Sequence, residues 1–291
     1  MEDHMHFVQA KTILSASNGM NIYRGCLHGC IYCDSRSACY QFTHQFEDIE
    51  VKQNAPTLLR DALRKKRKKC MIGTGSMCDP YIPPEEDLLL TRRCLETIAE
   101  YEFGAAVLTK SDLILRDIDL FKEIASKQKA VVQMTLTTAD DTLCKIIEPN
   151  VCPTSRRFEV LYEMREAGIP TIVWLTPLLP YINDTEENVR NILELCIQAG
   201  VRGIVFFGMG MTLRTGSREY YYHALDRHFP GLRKQYEHEF GKSYIIERSS
   251  QNQINQLFHD VCEKNGILHR PDDCFRYLQE LPEQYTQLSL F

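Results

Sequence analysis

The chain has 291 residues, 44% hydrophobic and 25% charged, with a formal net charge of −5. That length holds one large α/β domain or two smaller ones, and the composition excludes a disordered or fibrous chain. The acidic balance excludes a global field drawing the protein to nucleic acid, so any such contact must come from local patches.

Short β-rich runs alternate with longer helical patterns along the chain. The expected strands are Thr12–Ser17, Met71–Gly75, Ala105–Thr109, Val131–Thr137, Thr171–Thr176 and Gly203–Phe207. Helices are expected between them, near 55–69, 86–102, 117–127, 155–167 and 185–199. Gly104, Gly168 and Gly200 follow three of these, where a left-handed cap belongs. After the sixth strand the chain turns helical, near 217–228, 230–240 and 250–265. Six βα alternations predict a parallel sheet with helices outside it. An open barrel and a doubly wound sheet fit this pattern equally. The expected organisation is a core over 1–210 and a helical extension of the same domain over 211–291, ending in a tail peptide.

In parallel βα architectures, sites gather at the carboxyl ends of the strands. The segments to watch are therefore Tyr23–Cys33, Ser76–Tyr81, Thr109–Lys110, Thr135–Thr138 and Pro177–Asp184.

No stretch approaches the ~20 apolar residues of a membrane helix. Residues 1–17 lack a basic start followed by an apolar run. The expectation is a cytoplasmic protein with no membrane partner. Twelve cysteines are notable there, because a reducing compartment disfavours disulfides and clustered thiols point to metal or catalysis. Cys94, Cys144, Cys196 and Cys262 fall in helical patterns and read as small core residues. One group is dense: Cys26, Cys30 and Cys33, with Cys39 six residues on.

The spacing C-x3-C-x2-C lets one loop wrap a metal cluster, and Gly25 and Gly29 permit the tight path. Iron–sulfur cubanes normally take four thiolates. Three close cysteines leave one iron open to bind a small molecule. Two other readings stand beside this one. A zinc site could recruit His4, His6 or His28, and Cys39 could be a fourth ligand that makes the cluster an electron carrier.

The segment Cys26-Leu-His-Gly-Cys30-Ile-Tyr32-Cys33 resembles the signature of the radical S-adenosylmethionine (SAM) superfamily, aromatic residue included. The resemblance implies a partial (β/α)6 barrel and a 4Fe–4S cluster on Cys26, Cys30 and Cys33. It implies SAM chelating the fourth iron and cleaved reductively to a 5′-deoxyadenosyl radical. It also implies an electron donor such as flavodoxin or ferredoxin. Further segments are similar to the spore photoproduct lyase-related group: Asn21-x-Tyr23-x-Gly25-Cys26, Cys78-Asp79-Pro80-Tyr81, Thr109-Lys110-Ser111, Leu136-Thr137-Thr138, Glu148-Pro149 and Pro177-x-x-Pro180-x-x-Asn183-Asp184.

On that resemblance, Ser76 and nearby amides receive the amino-acid part of SAM, and Lys110 meets its carboxylate. Thr135 and Thr137 offer hydroxyls, and Tyr32 packs beside the adenine. The lyase uses a cysteine as hydrogen-atom donor near this strand end. With Asp79 as anchor that position falls on Ser76, and Cys78 lies two residues away. Cys78 is either a radical donor or a buried, non-catalytic thiol.

Three features bear on nucleic acid. Arg64–Lys69 is a run of six basic residues closing the first barrel helix, on the face opposite the site. Arg214, Arg218, Tyr220, Tyr221, Tyr222, Arg227, Arg233 and Arg248 either border the mouth or form core of the extension. The terminal Gln287-Leu288-Ser289-Leu290-Phe291 is similar to the peptide by which bacterial replication and repair proteins bind the sliding clamp. Three readings follow: an enzyme acting on DNA, an enzyme acting on RNA, a peptide or a small molecule, and a non-catalytic iron–sulfur module associated with DNA.

Overall fold

The structure is a computed structural model and describes residues 5–208, 210–248 and 252–282. The tail Gln287–Phe291 lies outside the described residues.

Six parallel strands form the central sheet in the order β2 (Gly19–Met20), β5 (Met71–Thr74), β6 (Gly104–Thr109), β7 (Ala130–Thr135), β8 (Thr171–Trp174) and β9 (Gly203–Val205). Sequential neighbours joined by helices make this an open, partial (β/α)6 barrel. The alternating side chains explain the layers. Ile72, Ala105, Val107, Val132, Met134, Val173 and Ile204 face the outer helices in the main core. Those helices are α1 (Ala55–Lys65), α2 (Glu85–Leu88), α3 (Leu90–Glu100), α4 (Ile118–Lys127), α6 (Thr154–Glu166) and α7 (Glu186–Ala199).

The opposite, inner face carries Met71, Ala106, Val131, Ile172 and Val205, packed with Cys274 and Leu278 of α11 (Pro271–Gln279). The last helix is thus the floor of the half-barrel. The cavity above that floor is the candidate site. The rest of the C-terminal region divides. α10 (Asn252–Lys264) packs outside through Ile254, Phe258 and Cys262. α8 (Ser217–His228), α9 (Leu232–Phe240) and the hairpin β10 (Met211–Thr212) with β11 (Ile245–Ile246) form a second core with Ile31, Ile147 and Leu179. A three-stranded sheet, β1 (Met5–Val8), β4 (Ile49–Lys52) and β3 (Tyr23–Arg24), flanks the barrel.

Several elements differ from the sequence expectation. The strand expected at Thr12–Ser17 is not formed. Leu14 makes one bridge to Met20 across a turn at Asn18, and the sheet strand begins at Gly19. The helix expected over 86–102 is two helices, broken where Leu89 turns left-handed at φ 53°. The short α5 (Asp141–Ile147), the flanking sheet and α11 carried no expectation. No helix among the described residues is long and apolar enough to cross a membrane.

Candidate active site

A cavity of about 580 Å³ opens at the carboxyl ends of the strands. The cysteine loop forms one side, with Cys26, His28, Cys30, Tyr32 and Cys33. Strand ends form another, with Ser76, Cys78, Asp79, Lys110 and Thr135. Trp174, Phe207, Thr212, Ile245 and Glu247 close the far side. Eight of the nine site residues expected from sequence therefore meet on one cavity. The ninth, Thr137, does not. It is fully buried behind the wall, 3.5 Å from Glu148 Oε1.

Backbone contacts from two directions hold the cysteine loop. Cys26 donates its N–H to the Phe46 carbonyl at 3.2 Å. Ile31 N–H goes to the Ile147 carbonyl, and Asn150 N–H to the His28 carbonyl. Asn150 Nδ2 adds a bond to the Leu27 carbonyl at 2.8 Å. Gly25 has φ 94°, and a Cβ there would stand 2.5 Å from the Phe46 oxygen. No other residue type fits that close approach without a shift.

Asp79 joins the strand ends to the loop. Its Oδ1 accepts from Thr109 Oγ1 at 2.7 Å and from the Tyr81 N–H at 2.9 Å. Its Oδ2 accepts the Lys110 N–H at 2.7 Å and lies 3.5 Å from His28 Nδ1. Behind Tyr32 sits a buried ion pair, Glu148 with Arg157. The Tyr32 hydroxyl donates to Glu148. Arg157 donates onward to the carbonyls of Thr135 and Cys152. Asp79, Glu148 and Arg157 surround the cavity residues without a site role expected from sequence, and His28, expected only as a possible zinc ligand, joins them. Asp79 and Glu148 carried a signal in their Asp-Pro and Glu-Pro pairs. Arg157 carried none, since its helix shows no charged pattern pointing inward.

The electrostatics favour charge separation. Burial works against the Lys110 ammonium, but Cys30, Glu148 and Asp79 outweigh it, and Lys110 holds its proton more tightly than an ordinary lysine. The neighbouring Cys78 thiol holds the Cys26 thiol well below its ordinary range despite burial, and His28 adds to the effect. Cys78 itself is pushed up by that contact and by burial. Its single S–H donates to the Gly25 carbonyl at 2.7 Å.

The donor set fits a cluster better than a single ion. One tetrahedral zinc draws its sulfurs to about 3.8 Å apart. Among the described residues, the group of three ligand atoms within 4.8 Å of one another lies elsewhere, at His6, His44 and Glu50. The three thiols do not all lie within 4.8 Å of one another here, a wider spacing than around one bound zinc. Cys39 is off the cavity, exposed, with Arg214 Nη1 3.1 Å from its sulfur, so it does not join them.

The basic and aromatic set at 214–248 is largely committed elsewhere. Tyr221, Tyr222 and Tyr236 are core. Arg218 bonds the carbonyls of Leu213 and Ser243, Arg233 pairs with Asp226 and Glu237, and Arg248 pairs with Asp184. The run Arg64–Lys69 leads into the amino end of β5, away from the cavity, with Lys69 bonded to the Tyr101 carbonyl.

A family model described as the radical SAM superfamily matches residues 20–196. An uncharacterized Mycobacterium tuberculosis protein is 27% identical over 267 residues, covering 87% of this chain and 76% of its own. An uncharacterized Methanocaldococcus jannaschii protein is 35% identical over 169 residues, covering 57% of this chain and 62% of its own. Spore photoproduct lyase complexed with dinucleoside spore photoproduct superposes with a TM-score of 0.66 at 11% identity, covering 91% of this chain and 81% of that one. That likeness is one of fold. The family match spans more than half of the chain and includes the whole cysteine loop. The chain therefore belongs to the radical SAM superfamily, whose enzymes work with S-adenosylmethionine and a 4Fe–4S cluster.

Proposed function

We propose that Cys26, Cys30 and Cys33 hold the cluster, that SAM lies between their loop and the ends of β5, β6 and β7, and that the substrate is DNA. One observation carries the first part: three thiols and Lys110 converge on a single cavity of about 580 Å³. When bound, the cluster supplies one electron for the cleavage of SAM to a 5′-deoxyadenosyl radical, which takes a hydrogen atom from substrate. The chain binds, orients and shields.

Lys110 sets a compact positive charge against the SAM carboxylate. Ser76 and Thr135 offer hydroxyls from neighbouring strand ends. Tyr32 flanks the adenine, its ring held by the bond to Glu148. Thr137 positions Glu148 from behind and does not touch SAM. Cys78 lines the same cavity and is the candidate hydrogen-atom donor. An electron donor such as flavodoxin or ferredoxin reduces the cluster.

Support for DNA comes from the cavity lining and from the shared fold. Trp174 and Phe207 line the cavity, and Phe207 is 56% exposed. Such rings stack on bases. The spore photoproduct lyase of like fold was solved with a dinucleoside photoproduct. A second reading, in which RNA, a peptide or a small molecule is the substrate, draws on one observation: Arg218, Arg233 and Arg248 are spent on internal partners. The peptide Gln287–Phe291 supports clamp binding through its sequence alone. Deleting 287–291 should abolish clamp capture in a pull-down, and retained capture overturns that idea.

Anaerobic reconstitution tests the main reading. We expect about four irons per chain and reductant-dependent 5′-deoxyadenosine. Cys26→Ala, Cys30→Ala and Cys33→Ala should each abolish both. Mass spectrometry of nucleosides from DNA and RNA treated with the enzyme tests the substrate. A new nucleoside in DNA alone supports the proposal. Change in RNA alone, or in neither, overturns it.

A further inference from the structure

A second ligand set lies outside the cavity, on the flanking sheet. The parallel register of β1 and β4 places His6 beside Glu50. His44 approaches from the loop before β4. One ligand atom from each of His6, His44 and Glu50 lies within 4.8 Å of the other two.

The hydrogen bonds around the two imidazoles set their tautomers. His6 Nδ1 is 2.9 Å from Asp48 Oδ1, and His44 Nδ1 is 2.9 Å from the Gln45 carbonyl. Both partners only accept, so each Nδ1 carries the hydrogen. In the neutral imidazole each Nε2 then keeps a lone pair. His44 Nε2 is buried with no hydrogen-bond partner among the described residues. It stands 3.9 Å from Glu50 Oε2, too far for a hydrogen bond. A buried nitrogen lone pair facing a carboxylate is costly unless a cation lies between them. A ring nitrogen bonded to a carboxylate is also the usual support for a metal-bound histidine.

The competing cation is Arg24. Its Nη1 is 3.8 Å from Glu50 Oε2, but its Nη2 is committed to the carbonyls of Tyr40 and Gln41. It neutralises part of the charge without filling the gap.

We propose that His6, His44 and Glu50 bind a divalent transition-metal ion, zinc foremost, with Asp48 orienting His6. Two imidazoles and one carboxylate suit zinc, with a fourth position left for water. Bound zinc brings such ligand atoms to about 3.3 Å apart, so a closure of an ångström or so completes the site. The ion would tie β1 to the loop carrying Phe46, whose carbonyl holds Cys26. Its role is to brace the cysteine loop from outside.

The test uses the full chain with its cluster reconstituted, zinc alone as probe, and metal analysis as readout. We expect about one zinc per chain in addition to iron. His44→Gln and Glu50→Gln should lose it. The triple variant C26A/C30A/C33A should lose iron and keep zinc, which separates this site from the cluster. Asp48→Asn keeps all three ligands and should weaken zinc about 10- to 100-fold. It serves where a ligand variant fails to fold. No zinc in the parent chain, equal zinc in His44→Gln, or unchanged affinity in Asp48→Asn overturns the proposal.

Discussion

Arg157 Nη2 stands 2.5 Å from Glu148 Oε2, and neither side chain has any exposed surface. The pair links the cysteine loop, through Tyr32, to the ends of β7 and the α5–α6 connection. A buried charge left without its partner is far costlier than the pair is favourable. Arg157→Ala should therefore lose about 3–5 kcal/mol of stability, read from the urea midpoint.

The same pair predicts a pH dependence. Burial pushes the Glu148 carboxyl up, but Arg157, then Lys110 and the hydrogen bonds, outweigh it and hold it below the ordinary 4.5. A group depressed in the folded state contributes stability above its unfolded pKa and loses it as pH falls through the folded value. Stability should thus decline with acid below about pH 4.5. In Glu148→Gln that decline should be shallower. Parallel stability–pH curves for the two proteins would rule this out.

Gly75 and Gly73 sit two residues apart with opposite tolerances. Gly75 has φ +100°, and a Cβ there would stand 2.0 Å from the Leu108 oxygen. Gly73 has nothing within 4 Å of a built Cβ. Gly75→Ala should cost about 2 kcal/mol or more. Gly73→Ala should change stability by no more than about 1 kcal/mol. Thermal denaturation of the two variants side by side checks the contrast.

Asp79 holds the backbone of Lys110, the proposed partner of the SAM carboxylate. Asp79→Asn is nearly isosteric, yet either amide orientation puts an NH2 against a backbone N–H, of Lys110 or of Tyr81. One buried donor is then unpaired, at about 1–3 kcal/mol. SAM affinity of the reconstituted enzyme should fall with the stability. A variant as stable as the parent, with unchanged SAM affinity, would remove Asp79 from the positioning role.

Much of this was legible in the sequence where the signal is local. Cys26, Cys30 and Cys33 lie within one loop, so their grouping shows without any fold. β6 and β7 were found within a residue at their starts, because buried strands flanked by helices carry a strong pattern. Other parts were not legible because their logic is long-range. Asp79 reads as a turn residue until Thr109, Lys110 and His28 are brought to it. β2 has two residues and no pattern of its own. α11 covers the inner face of the sheet, a role that depends on which face the helices before it have left open. Thr137 is expected on the cavity from the Leu136-Thr137-Thr138 resemblance and a strand running to Thr137, but β7 ends at Thr135 and Thr137 is fully buried.

Cys78 separates two roles by chemistry. Its thiol bonds the Gly25 carbonyl and lies against Cys26. If it serves only to support that loop, Cys78→Ser keeps a donor and should restore what Cys78→Ala loses. If it is a hydrogen-atom donor, both variants should cleave SAM yet give an altered product distribution, because a serine O–H does not replace a thiol in that step. Turnover of Cys78→Ala with unchanged products would end the donor role.

Phe207 tests the substrate class without disturbing the cofactor side. Its ring stacks on Phe275 at 6.2 Å and meets Trp174 edge-on, and its exposed face lines the cavity. A base laid on that face gains about 1–3 kcal/mol, so Phe207→Ala should weaken single-stranded DNA binding about ten- to a hundredfold. Phe7 is similarly exposed, at 50%, but lies on the flanking strand β1. Phe7→Ala controls for the loss of any exposed aromatic ring and should bind DNA as the parent does. Iron content and circular dichroism should match in all three proteins. Equal loss in both variants would mean non-specific adhesion, and no loss in Phe207→Ala would move the base, and with it the case for DNA, away from this part of the cavity.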